Sequence, residues 1–176
     1  MRFFLTCTFL ALVATLCAQQ KQNPVIKSYG GIYNIRTATV RPDSNMLYKI
    51  VVDVKTGGRK KTEPSEGLVN VARMLNLHEI GGAFQDNMEV VLAIHGEATY
   101  AVLTDKGHRR LFGVPNPNID LIRELKVAGV DLTVCGQSLI GRNVRPGEVL
   151  REVAIATSML TTVSTCQMKG FAVFQF

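Results

Sequence analysis

Residues Met88 to His95 (MEVVLAIH) carry five apolar side chains in succession, Val90 to Ile94, with no alternation of polar and apolar positions. A strand of this kind is apolar on both faces, so it belongs inside a sheet that is covered on both sides. Leu47 to Val54 (LYKIVVDV) is a second β-branched run, closed by Lys55, Thr56, Gly57 and Gly58, and Val130 to Cys135 (VDLTVC) is a third. Between them lie helical patterns. One has Pro64 in its first turn, Glu63 and Glu66 at the positive end of its dipole, and Leu68, Val71, Ala72 and Leu75 on one face before Gly81 and Gly82 stop it. Another spans Asn118 to Ala128, with Asn118 as the cap and Gly129 as the stop. Strands alternating with helices predict a parallel sheet with right-handed crossovers, an α/β sandwich of three layers.

The two ends of the pattern are less regular. Glu152 to Thr157 reads either as a strand or as the start of a helix running to Lys169, and periodicity alone does not decide. Phe171 to Phe176 (FAVFQF) reads as a closing strand. Residues 19–46 hold Pro24, Gly30, Gly31 and Pro42 and show no sustained period, so they form an extended arm ahead of a domain at 47–176. Tyr29, Ile32 and Tyr33 are apolar enough to bury against that domain or a neighbouring copy.

Arg2 followed by the apolar run Phe3 to Cys17 and the small residue Ala18 has the make-up of a secretory signal peptide, residues 1–18, cleaved after Ala18. The run is too short to span a bilayer, which takes roughly 20 apolar residues. The expectation is an exported, periplasmic protein with no membrane span once the signal is removed. Export leaves Cys135 and Cys166 as the cysteines of the remaining chain. No disulfide between them is predicted, because Cys135 ends a strand at the carboxyl edge and Cys166 lies near the end of a helix returning to the other edge.

In a parallel sheet, ligands bind beyond the carboxyl ends of the strands. His95 and Cys135 both stand there, and each precedes a glycine, Gly96 and Gly136. The run Gly136, Gln137, Ser138 resembles the first turn of a helix, whose unpaired N–H groups would lower the thiol pKa of Cys135. The alternative is a buried inert thiol and a histidine bonded to a backbone carbonyl. Arg59 and Lys60, in the loop after the first strand, are candidates to hold an anion, against the alternative of a solvated basic loop. That loop has neither P-loop nor dinucleotide spacing, and His78, His95 and His108 lack ligand spacing, so no cofactor and no metal are expected. The formal charge of +6 is spread over 20 Lys and Arg among 14 acids, and no nucleic-acid partner is expected.

The segments MEVVLAIHG (88–96), NPNIDLIRELKVAG (116–129), VDLTVCGQS (130–138) and ATSMLTTVSTCQMKGFAVFQF (156–176) resemble the DsrE/DsrF-like proteins, over about Met46 to Phe176. The resemblance implies a five-stranded, mainly parallel sheet of the flavodoxin-like topology class between helices, with 152–157 as a strand. It also implies homo-oligomers, trimers or hexamers. Characterised members relay sulfur, and the resemblance places the persulfide-carrying cysteine at Cys135. The signal peptide and the arm depart from the cytoplasmic members. Two functions follow: an exported sulfur carrier that exchanges sulfane sulfur with a donor or acceptor protein or a small sulfur species, or a non-catalytic small-ligand-binding or assembly module with an inert Cys135.

Overall fold

The computed structural model describes residues 19–83 and 85–176; the segment read from its sequence as a signal peptide, 1–18, lies outside the described residues. The sheet comprises β1 (Tyr48–Val54), β2 (Met88–Ile94), β3 (Asp131–Cys135), β4 (Ala154–Ala156) and β5 (Ala172–Gln175). The strands lie in the order β4-β3-β2-β1-β5, and every neighbouring pair is parallel. The helices are α1 (Glu66–Gly81), α2 (Asp105–Phe112), α3 (Ile119–Val127), α4 (Gly136–Gly141) and α5 (Met159–Met168). The expected five-stranded α/β sandwich is therefore present, and 152–157 contributes a strand of three residues.

Chain direction determines which face each helix covers. From β1 to β4 every step moves the same way across the sheet, so right-handed connections keep α1 to α4 on one face. The step from β4 to β5 runs back past three strands, and the same handedness then places α5 on the other face. The two faces are unequal. On the first, Ile50, Val52, Val54, Leu92, Ile94, Leu132 and Val134 pack against Leu68, Val71 and Leu75 of α1 and Leu121, Ile122 and Leu125 of α3. Burying each such side chain contributes about 1.5–3 kcal/mol. On the second, α5 supplies a small cluster in which Cys166 and Phe171 pack on Val51, with Val91 and Val163 at its margin.

Several helix ends differ from the sequence reading. Pro64 lies outside α1: Ser65 is the cap, its Oγ accepting from the Leu68 N–H at 3.3 Å and donating to the Thr56 carbonyl. Asn118 stands at the N-cap position of α3 as expected, but its side chain does not cap the helix, because its Oδ1 accepts from the Ser65 N–H at 2.6 Å. The stretch 96–117 contains a 3-10 helix (Gly96–Val102) and α2, neither of which shows in the apolar pattern. Here α2 buries only Gly107 and His108, and Arg110 anchors it through two bonds to Glu148, at 2.5 and 2.7 Å. That guanidinium, with the Arg145 backbone N–H, holds the Glu148 carboxyl down at about 2. Among the described residues no helix is long and apolar enough to cross a membrane.

The arm docks on α1 through one side chain. Asn76, fully buried, accepts from the N–H groups of Val25 and Ile26, both at 2.9 Å. Its amide donates to the carbonyls of Ile26, Tyr29 and Gly30 at 3.4, 3.0 and 3.1 Å. Ile26 and Ile32 are buried, whereas Tyr33 is exposed and does not bury against the domain of its own chain. The bridge pairing Ile32 with Gln22 explains the difference, since extended backbone turns successive side chains to opposite sides. Gly30 lies so close to the α1 backbone at Ala72 and Arg73 that a Cβ would collide with it, and its φ of +66° also favours glycine. Asn76→Ala should strand two N–H groups and three carbonyls, lowering stability by about 2–4 kcal/mol in urea denaturation and opening the arm to proteolysis. A loss below about 0.5 kcal/mol would show that apolar contacts alone hold the arm.

Candidate functional site

The carboxyl edge of the sheet gathers residues from four strands. In β1, Asp53 faces the α5 side of the sheet, since Val52 and Val54 belong to the opposite core. His95 follows β2 in extended conformation (φ −154°), and its N–H donates to the Val54 carbonyl at 2.9 Å, so it continues the ladder by one residue. In register, Val54 pairs with Ile94 and Ile94 with Val134. One residue further along, His95 and Cys135 stand side by side on neighbouring strands, on the face that carries Asp53. From β5, Gln175 completes the row.

Two helix starts converge on Cys135. It is the last residue of β3 and leads directly into α4, while on its other side it pairs with Ala156 of β4, two residues before Ser158 at the cap of α5. Its Sγ lies 3.9 Å from the Ser158 Oγ. Burial pushes the Cys135 thiol up. The backbone N–H groups of Met159 and Ser138 and the hydroxyls of Ser138 and Ser158 outweigh it, so the pKa falls below the ordinary thiol value. Gly136 makes this convergence possible: a Cβ there would stand 2.8 Å from the Ala156 carbonyl oxygen. Cys135 is 4 % exposed, a small aperture suited to a compact reactant.

Cys166 has the opposite environment. Burial raises its pKa, Lys169 draws it down and Glu89 raises it, leaving the thiol above its ordinary value. Both cysteines are free.

His95 is held by a carboxylate. Its Nε2 lies 2.5 Å from Asp53 Oδ1, and Gln175 Nε2 donates to Asp53 Oδ2 at 3.1 Å. The His95 and Asp53 side chains are 19 % and 13 % exposed. An ionised Asp53 accepts from an Nε2–H, which leaves Nδ1 as the free ring nitrogen. Asp53, Gln175, Ser158 and Met159 were not singled out by the sequence reading as site residues. Asp53 had a signal, as a carboxylate one residue from the end of an otherwise apolar run.

The remaining candidates are dispersed. Gln137 is exposed on α4. Gly96 (φ +57°) packs against Lys55, where a Cβ would meet the lysine side chain. Arg59 pairs with Glu66 at 2.5 Å, Lys60 with Glu63 at 3.7 Å and the neighbouring Lys61 with Glu97 at 3.0 Å. Lys60 and Lys61 line a separate cleft of about 20 Å³, with Tyr100 and His108, that reaches neither His95 nor Cys135. His108 and His78 bond the carbonyls of Val114 and Met74 through Nδ1. Among the described residues no group of three or more His, Cys, Asp or Glu side chains is disposed to hold a metal ion.

Residues 49–176 match the sequence model of the DsrE/DsrF-like family. Of the solved structures, MTH1491 of Methanobacterium thermoautotrophicum, a protein of unknown function, shares the fold at a TM-score of 0.52 and 12% identity, over 73% of this chain and 99% of its own. The ychN protein of E. coli is 20% identical over the same shares, at a TM-score of 0.48. No curated protein matches the chain.

The donors around Cys135 make a direct prediction. Ser138→Ala removes one hydroxyl from the sulfur and keeps the backbone N–H, so alkylation of Cys135 by iodoacetamide at about pH 6–7 should slow severalfold and recover near pH 9. Cys166 serves as the internal reference, and an unchanged Cys135 profile would show that the hydroxyl does not stabilise the thiolate.

Proposed function

The chain belongs to the DsrE/DsrF-like family, which is generally linked to sulfur relay, and from that membership and its sheet edge we propose that it is an exported carrier holding sulfane sulfur as a persulfide on Cys135. The observation that carries this reading is the set of four donors around one sulfur. A persulfide carrier needs a thiolate at working pH and the same donors to steady the persulfide anion afterwards. The donor is a protein persulfide or a small species that already holds sulfane sulfur, and the acceptor is a thiol. The apolar run at 3–17, ahead of the small residue Ala18, supports action in the periplasm.

We also propose a homo-oligomer, a trimer or hexamer. Helix α5 (MLTTVSTCQM) has no charged residue, yet Leu160 is 71 % and Met168 89 % exposed. Ile155 on β4 and Val173 and Phe174 on β5 are exposed as well. An uncharged helix flanked by apolar strands, with nothing over it in one copy, is suited to a second copy of the chain.

Native mass spectrometry after incubation with a sulfane-sulfur donor tests both statements. Wild type and Cys166→Ser should gain one sulfur per chain and Cys135→Ser none, in assemblies of three or six chains. A gain that persists in Cys135→Ser removes Cys135 as the carrier, and no gain from any of several donors favours the non-catalytic binding module. A mass of one chain at micromolar concentration ends the oligomer.

A further inference from the structure

Three adjacent strands contribute Asp53, His95 and Cys135 to one face of the sheet edge, and the first two are joined at 2.5 Å. We propose that these residues act as one line in sulfur exchange, with His95 as the acid that protonates the departing sulfur and Asp53, steadied by Gln175, as the positioning residue that fixes the tautomer and direction of His95. The proposal rests on the reading of Cys135 as a sulfur carrier.

Spacing assigns His95 to the leaving sulfur rather than to the attacking one. The Cys135 sulfur has its own donors in Ser138, Met159 and Ser158, and among the described residues no hydrogen bond joins it to His95. An in-line exchange sets three sulfurs in a row, and with S–S bonds of about 2.05 Å the attacking and leaving atoms are about 4 Å apart or slightly more. Neighbouring strands are about 4.8 Å apart. A proton donor one strand over from the nucleophile is therefore spaced for the leaving atom rather than for the attacking one.

The step balances without an outside oxidant or reductant. The Cys135 thiolate attacks the outer sulfur of a donor R–S–SH, and a lone pair of Sγ becomes the new S–S bond. The electron pair of the old S–S bond departs with R–S, which takes the proton from His95 Nδ1–H. The products are the Cys135 persulfide, R–SH and neutral His95. Cys135 is oxidised to the persulfide level as the donor persulfide is reduced to its thiol, and in the reverse direction an acceptor thiolate attacks while neutral His95 receives the proton of the incoming thiol.

The charged groups facing His95 are few. Asp53 approaches from β1 and Cys135 from β3, and Lys55 lies just past β1 with no ion pair among the described residues. Glu97 stands two residues on, already engaged by Lys61 at 3.0 Å and Arg142 at 3.8 Å. Gln175 is neutral, and α5 contributes no charge. The exchange needs a proton on the His95 ring and none on the Cys135 sulfur, so its rate should pass through a maximum with pH.

The test is the rate of sulfur loading from a graded series of organic persulfides, differing in the pKa of the leaving thiol, and from thiosulfate, whose leaving sulfite needs no proton. Wild type should show a bell-shaped pH profile and a shallow dependence on leaving-group pKa. His95→Gln should lose about 100-fold with alkyl persulfides, little with thiosulfate, and keep only the rising limb of the profile. Asp53→Asn should lose less, in the same pattern, and Gln175→Ala least. A wild-type profile with a rising limb alone, or a His95→Gln loss equal for every donor, overturns the proposal while Cys135 remains the carrier. A wild-type chain that accepts sulfur from none of the donors overturns the carrier reading and this one with it.

Discussion

The handedness of the β4 to β5 crossover is the constraint on which the rest of this structure depends. Four strands are laid down in one direction and the fifth returns to the far edge, so α5 alone is carried to the opposite face. Its cap, Ser158, then arrives at the carboxyl edge beside the end of β3. Without that reversal Cys135 would have only the start of α4 for company, and α4 is a helix of six residues.

The same reversal leaves a thinly covered face. The α1–α3 side holds nearly all of the core, whereas α5 meets the sheet mainly through Cys166, Phe171 and Val163. Polar groups survive in such a setting when they satisfy one another, which is what Asp53, His95 and Gln175 do at 2.5 and 3.1 Å. The thin layer also leaves the uncharged surface of α5 exposed at Leu160 and Met168.

Much of this was legible in the sequence, for identifiable reasons. The long apolar runs of β1 and β2 and the apolar face of α1 are strong periodic signals. The strand-end placement of Cys135 and His95 was legible because each closes an apolar run. The stretch 96–117 was not legible, since α2 is held by the Arg110–Glu148 pair and buries almost nothing apolar. Asp53 and Gln175 were missed because their meaning lies in pairing across strands 122 residues apart, which no local pattern records. Arg59 and Lys60 looked like free cations only because the carboxylates of Glu66 and Glu63 that meet them depend on the turn into α1.

A carrier has to release what it holds, and release is the most direct measure of the account. The chain is loaded with one sulfur, freed of donor and mixed with an acceptor thiol while both masses are followed together. The account predicts that the sulfur leaves Cys135 and appears on the acceptor one for one. A chain that retains its sulfur, or sheds it as sulfide with no gain by the acceptor, would contradict it.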